Sequence, residues 1–467
     1  MPATPQLQPW WVMTRGDVDA TISQVGFNLA QMAIPVFLLL PFGIPLSFSV
    51  THLLPGFALG FALGSLGLVR LAVQLARREG RSDVTTHAYG NNVPAIIAYT
   101  LSIILPVYLQ SHDATLAWRV GAAAVVWTGV IKLAAAPFVE AIRRVIPPPA
   151  AMTVFGAAIY SYLALVLLQR LFDHPLIGLV TLAIVATSVL GSVPITRWRI
   201  PPLAVAWLVP LGLALAVGYV RLDWHGPAFT LPFVPVPDLL SSMQLAVPYL
   251  SVIVPIAVYH VLQDIASVAG GAAVGDSYDV RHVLLWDGLG TLVCGLAGSA
   301  ITPELYALLP SYKAIGARIS YVFWTAILFL IVTVAGLSIF LAQLFPWPIL
   351  AGMLAYSSIG VGIATLRKVD AKYTGAVLLG FVLPAGAVVQ AAVNSALPAL
   401  KVNMNDPTVQ AALNRSIYWT SVQGLGNGFL LTILVVTAAI VEIIDRRFHR
   451  AAAWCIAAAA FSWVGLM

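Results

Sequence analysis

The chain has 467 residues, 60% of them hydrophobic and only 9% charged, with a mean hydropathy of +0.92. Soluble domains are about 25% charged, so this composition excludes a soluble enzyme, a nucleic-acid binder, a disordered chain and a fibrous protein. The formal net charge of +6 is scattered along the chain, as in the loops of a polytopic membrane protein.

A helical span needs about 20 mostly apolar residues. Hydrophobic runs between charged or proline-rich breaks predict spans at 20–41, 52–76, 83–108, 114–137, 148–169, 175–194 and 201–220. A second set follows at 246–270, 283–298, 299–316, 319–345, 348–366, 371–396 and 414–444. The expected fold is therefore an all-α polytopic membrane protein of fourteen transmembrane helices in two sets of seven. A first repeat covers 1–220, an extracytoplasmic loop 221–245 and a second repeat 246–450. The apolar stretch 451–467 is either a fifteenth span or a segment lying on the membrane. Of the 24 basic residues, 17 then fall in loops on one side and 5 on the other, with Arg70 and Lys132 inside spans. This asymmetry predicts that both termini are cytoplasmic, in a plasma membrane of the bacterial inner-membrane type. Met1 to Arg15 lacks the short apolar run of a signal peptide.

Polar residues at membrane depth are costly and usually line a cavity or pathway. In the first span Gln24, Asn28 and Gln31 share one helix face; they either bond helices together or line such a cavity. The third span opens on the polar run Asp83-Val-Thr-Thr-His-Ala-Tyr-Gly-Asn-Asn-Val-Pro, where Asn92 before Pro94 reads as a helix start preceded by extended backbone. The eighth span carries His260, Gln263, Asp264 and Ser267. His260 and Asp264 share a face, and a carboxylate there must be paired, protonated or facing water; a purely structural Asp–His pair is the plainer alternative. In the tenth span Thr302 is placed as an N-cap, Pro303 at the first helical position and Glu304 in the first turn. Gln390, Asn394, Trp419, Gln423 and Asn427 read as packing contacts between the last spans.

The two interrupted segments correspond: Thr85-x-x-x-Tyr89 matches Thr302-x-x-x-Tyr306, each in the third span of its set. Such a pair of broken segments points to a transporter's central site, with two half-helix N-termini facing each other. Neither HExxH, GxSxG nor GxxxxGK[ST] occurs, and Cys294 and Cys455 form no CxxC, so no enzyme, cofactor or metal site is expected.

The stretch from His260 to Arg318 resembles the xanthine/uracil permease family (nucleobase–ascorbate transporters and purine permeases). The likeness rests on the eighth-span acid followed at the family's spacing by Asp287-Gly-Leu-Gly-Thr291 and then Gly298, and on the Asp83 to Gly90 stretch. The resemblance implies an inverted seven-plus-seven repeat with core and gate domains, in which the third and tenth spans are each a short strand followed by a half-helix, and it implies a homodimer. Asp264 aligns with the family's substrate-binding acid. The second family acid falls at Ala307, with Glu304 the nearest carboxylate, and Gln31-Met32 stands where the family has a Gln-His pair.

The function expected on these grounds is secondary active transport of a nucleobase-type heterocycle by proton symport. Asp264 and Glu304 would accept ring N–H groups, Tyr89 or Tyr306 would pack on the ring, and Gln31, Gln263 and Thr302 would complete the substrate site. Asp264, Glu304 and His260 would carry the coupling proton. The partners are then a small-molecule substrate, protons and the lipid bilayer, with no nucleic acid. An anion transporter of the same seven-plus-seven fold is the alternative, opposed by the two carboxylates. A non-transporting receptor is a further one, disfavoured by the lack of any soluble output module.

Overall fold

The structure, a computed structural model, describes residues 9–187, 202–222, 231–337 and 343–467, together with 229 and 340. Parts of the expected spans 175–194 and 319–345 and of the loop 221–245 lie outside these residues. The chain is predominantly helical. In the first half come α1 (Arg15–Leu39), α2 (Pro55–Glu79), strand β1 (Ala88–Asn91), α3 (Val93–Ser111), α4 (Ala114–Ala135), α5 (Pro148–Leu171), α6 (Pro175–Val185) and α7 (Pro202–Ala216). The second half has α8 (Leu250–Ala272), α9 (Val280–Leu296), strand β2 (Pro303–Tyr306), α10 (Leu309–Ala314), α11 (Ser320–Val334), α12 (Trp347–Lys368) and α13 (Ala371–Ala399). It closes with α14 (Pro407–Ile417), α15 (Trp419–Gly426), α16 (Phe429–Ile444) and α17 (Phe448–Trp463). Among the described residues eight helices are long and apolar enough to cross a membrane, and α15 with α16 forms a further pair, bent by 80°. The described residues form a helical membrane-protein fold with one short strand in each half of the chain.

The local sequence explains where the elements begin. Thr14 and Asp17 form a capping box at α1, Asp113 caps α4, and prolines open α2, α5, α6 and α7. Asn92 caps α3 by accepting the Ala95 amide N–H at 2.7 Å. The extended stretch before it has no hydrogen bonds of its own, and in a bilayer core such groups must be satisfied within the protein. They are satisfied by β2, which pairs antiparallel with β1 in the register Ala88↔Tyr306, Tyr89↔Leu305, Gly90↔Glu304 and Asn91↔Pro303.

That pairing corrects the sequence expectation for the tenth span. Thr302, Pro303 and Glu304 do not open a helix: residues 299–302 are irregular, Pro303 begins β2, and α10 starts only at Leu309, with Pro310 in its first turn. A local capping signal at Thr302 gives way to the need of β1 for a partner strand. Proline suits the first position of a strand, where its missing N–H is tolerated.

The apolar C-terminal segment forms α17, which folds back along α16 so that the Leu466 carbonyl reaches Gly428.

Close helix packing holds the two strands. α9 lies between α2 and α4, and the approach is at backbone distance. A Cβ built on Gly60 of α2 would lie 2.4 Å from the Gly290 carbonyl oxygen and 2.5 Å from the Cys294 amide nitrogen of α9. One on Gly64 would lie 2.4 Å from the Tyr89 ring of β1. Small residues at i, i+4 spacing are the usual means of bringing membrane helices this close. Gly60→Val is therefore expected to destabilise the protein by about 1–3 kcal/mol through overpacking. Gly26→Ala, with nothing within 4 Å of the added carbon, should leave it unchanged. A thermal-denaturation assay in detergent checks both.

Candidate functional site

The strand pair delivers Asn92 and Glu304 to the same place. The Asn92 amide N–H donates to the Thr302 carbonyl at 2.9 Å. Its side-chain nitrogen donates to Glu304 Oε2 at 2.7 Å and also contacts His260 Nε2 of α8. On its other side His260 meets a residue from the middle of α4: Lys132 Nζ lies 3.0 Å from His260 Nδ1 and donates to Thr291 Oγ1 of α9 at 2.9 Å. Lys132 forms an ion pair with Asp287 of α9, both side chains having no exposed surface. The Tyr89 hydroxyl donates to Asp287 Oδ1 at 2.9 Å. One continuous polar network thus joins β1, β2, α4, α8 and α9.

Two imbalances follow from simple counting. Lys132 is the single cation in the network, against the carboxyls of Asp287, Asp264 and Glu304, all buried. The Asp264 carboxyl lies against that of Asp287 and within electrostatic reach of Lys132 and Glu304, and no N–H or hydroxyl donates to either of its oxygens among the described residues. The second imbalance is at His260. A neutral imidazole accepts at only one nitrogen, but an ammonium faces Nδ1 and an amide N–H faces Nε2. Turning the Asn92 amide over would relieve His260 but would uncap α3 and set an oxygen against Glu304. The network has a donor too many at His260 and, at Asp264 and Asp287, two carboxyls side by side.

The residues expected from the sequence divide into two groups. His260, Asp264, Glu304 and Tyr89 belong to the network. His260 and Asp264 do not bond to one another, and the Tyr89 hydroxyl is engaged by Asp287. Gln31 lies outside it and accepts the Tyr306 hydroxyl at 2.7 Å, while Asn28 and Gln24 bond the strands through Asn91, Tyr306 and the Tyr89 carbonyl. The polar stripe of α1 therefore clamps the strand pair. Gln263 donates to the Leu305 carbonyl at 3.1 Å, and Thr302 contributes its carbonyl to Asn92, its own hydroxyl being buried without a partner. Lys132, Thr291 and the pairing role of Asp287 went unread. The signal was there: Lys132 is one of two basic residues that fall inside apolar spans.

Beside the network lies a cavity of about 180 Å³, bounded by Ala98 of α3 and Ile256 of α8, one helical turn from His260, and by Tyr162, Gln390, Asn394 and Asn427 opposite. Gln390 donates to Asn427 Oδ1 at 2.6 Å, at the break between α15 and α16. These residues, read from sequence as packing contacts, border this space as well as each other.

No protein-family model matches the sequence, and no curated protein does either. Solved structures do match. The transmembrane domain of a cyanobacterium bicarbonate transporter, BicA, aligns over 82% of this chain and 98% of its own, with a TM-score of 0.54 and 14% identity. The overall structure of SLC26A9 aligns over 90% of this chain and 65% of its own, with a TM-score of 0.55 and 12% identity. The protein shares a membrane-transporter fold with both. This corrects the resemblance to the xanthine/uracil permeases, since the matched structures are of the BicA and SLC26 type. The motif that suggested that family has a local explanation here: Asp287 and Thr291 are the partners of Lys132.

Removing one member of a buried ion pair leaves the other uncompensated, at a cost of about 3–5 kcal/mol. Lys132→Met should therefore lower thermal stability sharply, and Lys132→Met with Asp287→Leu should recover most of the loss. Melting temperatures of the two single variants and the double variant check this.

Proposed function

We propose that the protein is a proton-coupled transporter of a small inorganic anion of the bicarbonate or sulfate kind. The observation that carries this reading is the extent of the BicA match, which takes in nearly the whole of that domain. The site supports it in three ways. A buried lysine, Lys132, stands in the network, the α3 N-terminus begins at its edge, and the buried Asp264 carboxyl lies against that of Asp287 with no N–H donor among the described residues.

The surplus of carboxyls over cations, taken at first as evidence against an anion, is what supplies coupling. Adding an anion to a water-poor site that already holds more acids than bases is prohibitively unfavourable unless positive charge enters with it. A proton on Asp264 or Glu304 meets that need, and His260, held between Lys132 and Asn92, is the titratable base nearest to them in the network. Asp264, Glu304 and His260 are thus the proton-handling groups in this reading. Gln263 and Thr302 are available to the ligand through their partnerless oxygens, whereas Gln31, Tyr89 and Tyr306 hold the frame.

Proteoliposomes loaded at neutral pH and diluted into acidic medium should accumulate radiolabelled sulfate, but not uracil or xanthine. Asp264→Asn should abolish accumulation against a gradient, and Glu304→Gln should weaken anion binding about ten- to a hundredfold, the effect of losing about 1–3 kcal/mol from a buried polar contact. Uptake of a nucleobase without anion uptake would rule the reading out.

A further inference from the structure

A second polar site lies away from the transport network, where the N-terminal segment folds back across the ends of α2 and α11. The Trp324 indole N–H donates to the Trp11 carbonyl at 3.1 Å, and the Trp10 ring stands edge-on to Phe323 at 5.3 Å between centroids. Beneath this segment is an open cavity of about 320 Å³ whose polar lining includes the arginines 77, 81 and 318 and Ser82, with Trp10 and Trp11 at its wall. No carboxylate lines it.

The three guanidiniums are held in different ways. Arg81 Nη2 bonds Asp276 at 3.0 Å and the Gly275 carbonyl at 2.8 Å. Asp276, fully buried, is itself fixed by Lys313 at 2.7 Å and by the Thr85 amide N–H at 3.1 Å. Arg81 Nε also donates to Glu79 at 3.0 Å and its Nη1 to Asp83 at 3.2 Å, and these acids are not among the residues that line the cavity. Arg318 is placed by its backbone, its amide N–H donating to Asp17 at 2.7 Å and its carbonyl accepting from Thr86 at 3.1 Å. Arg77 is exposed and its side chain has no hydrogen bond or ion pair among the described residues.

Planar, multiply donating guanidiniums match phosphate oxygens. Paired tryptophans mark the headgroup level of a bilayer, and basic pockets at helix ends are where anionic lipid headgroups dock. The volume falls at the lower edge of ligand pockets, roughly 300–1,000 Å³. We propose that this cavity binds a phosphate group at the membrane surface, that of an anionic phospholipid, with Arg77 as its direct ligand, Arg81 and Arg318 adding positive charge to the lining, and Trp10 and Trp11 against the acyl-glycerol side. The site is independent of what the transport network carries.

Native mass spectrometry of the full chain in detergent, titrated with phosphatidylglycerol or phosphatidylcholine, tests this. The expected result is preferential retention of phosphatidylglycerol, weakened about fivefold by Arg77→Ala and again by Arg318→Ala, the value of one basic contact near a membrane surface. Arg144→Ala, an exposed arginine elsewhere, should leave retention unchanged. Persistence of the lipid in millimolar inorganic phosphate assigns the site to the headgroup. Binding of inorganic phosphate that needs Arg77 and excludes the lipid assigns the same chemistry to a soluble source. Equal retention of the two lipids without phosphate binding, or an equal loss in Arg144→Ala, overturns the proposal. Since the Arg77 side chain has no hydrogen bond or ion pair among the described residues, Arg77→Ala should keep the wild-type melting temperature, so a loss of binding there reports on the site.

Discussion

Extended backbone inside a membrane must have its N–H and C=O groups satisfied by the protein itself, and here each interrupted span finds what it needs in the other. β1 and β2 come from opposite halves of the chain, yet they pair residue for residue over four positions. That pairing fixes the positions from which α3 and α10 start, and it sets Asn92 and Glu304 side by side. The α1 stripe of Gln24, Asn28 and Gln31 exists to hold the pair. Glycines of α2 and α9 let those helices meet at backbone distance at Gly60 and Gly290, and leave space for the Tyr89 ring of β1 at Gly64.

The strand pair also collects charge. Glu304 arrives on β2, Asp264 and His260 on α8, Asp287 on α9 and Lys132 on α4. Burying an ion pair is only weakly favourable at best, so the Lys132–Asp287 pair is better understood through what it permits than through the stability it adds. With Asp287 matched, Asp264 and Glu304 are left as acids whose charge depends on what else is present. Under the proposed function, an anion entering this site would draw in positive charge, carried as a proton by one of these acids.

Much of this was legible in the residues, and the errors are instructive. Composition and the spacing of apolar runs predicted a helical membrane protein, and the polar run ending at Asn92-Val-Pro94 marked the first interruption. The second was misplaced because Thr302-Pro303-Glu304 reads as a helix start when taken alone. The internal repeat held the remedy. The offset that relates Thr85 and Tyr89 to Thr302 and Tyr306, applied to the Asn92 cap, leads to within one residue of Leu308, the cap of α10. Glu304 then falls ahead of the helix, in the extended stretch that precedes it. Lys132 was visible as a lysine inside an apolar span, but its partners lie on α8 and α9, far away in sequence, and no periodicity links them. The family resemblance failed for a related reason: Asp287-Gly-Leu-Gly-Thr291 is a short motif whose polar members here serve a lysine that the motif does not contain.

The account stands or falls on whether anion binding brings a proton with it. Purified protein in weakly buffered solution at neutral pH, titrated with sulfate while the bulk pH is followed with an indicator dye, measures this directly. Sulfate should alkalinise the medium in proportion to the sites filled, and Asp264→Asn should bind without that signal or with much less of it. Sulfate binding at an unchanged pH, the same in wild type and variant, would contradict the charge-compensation mechanism.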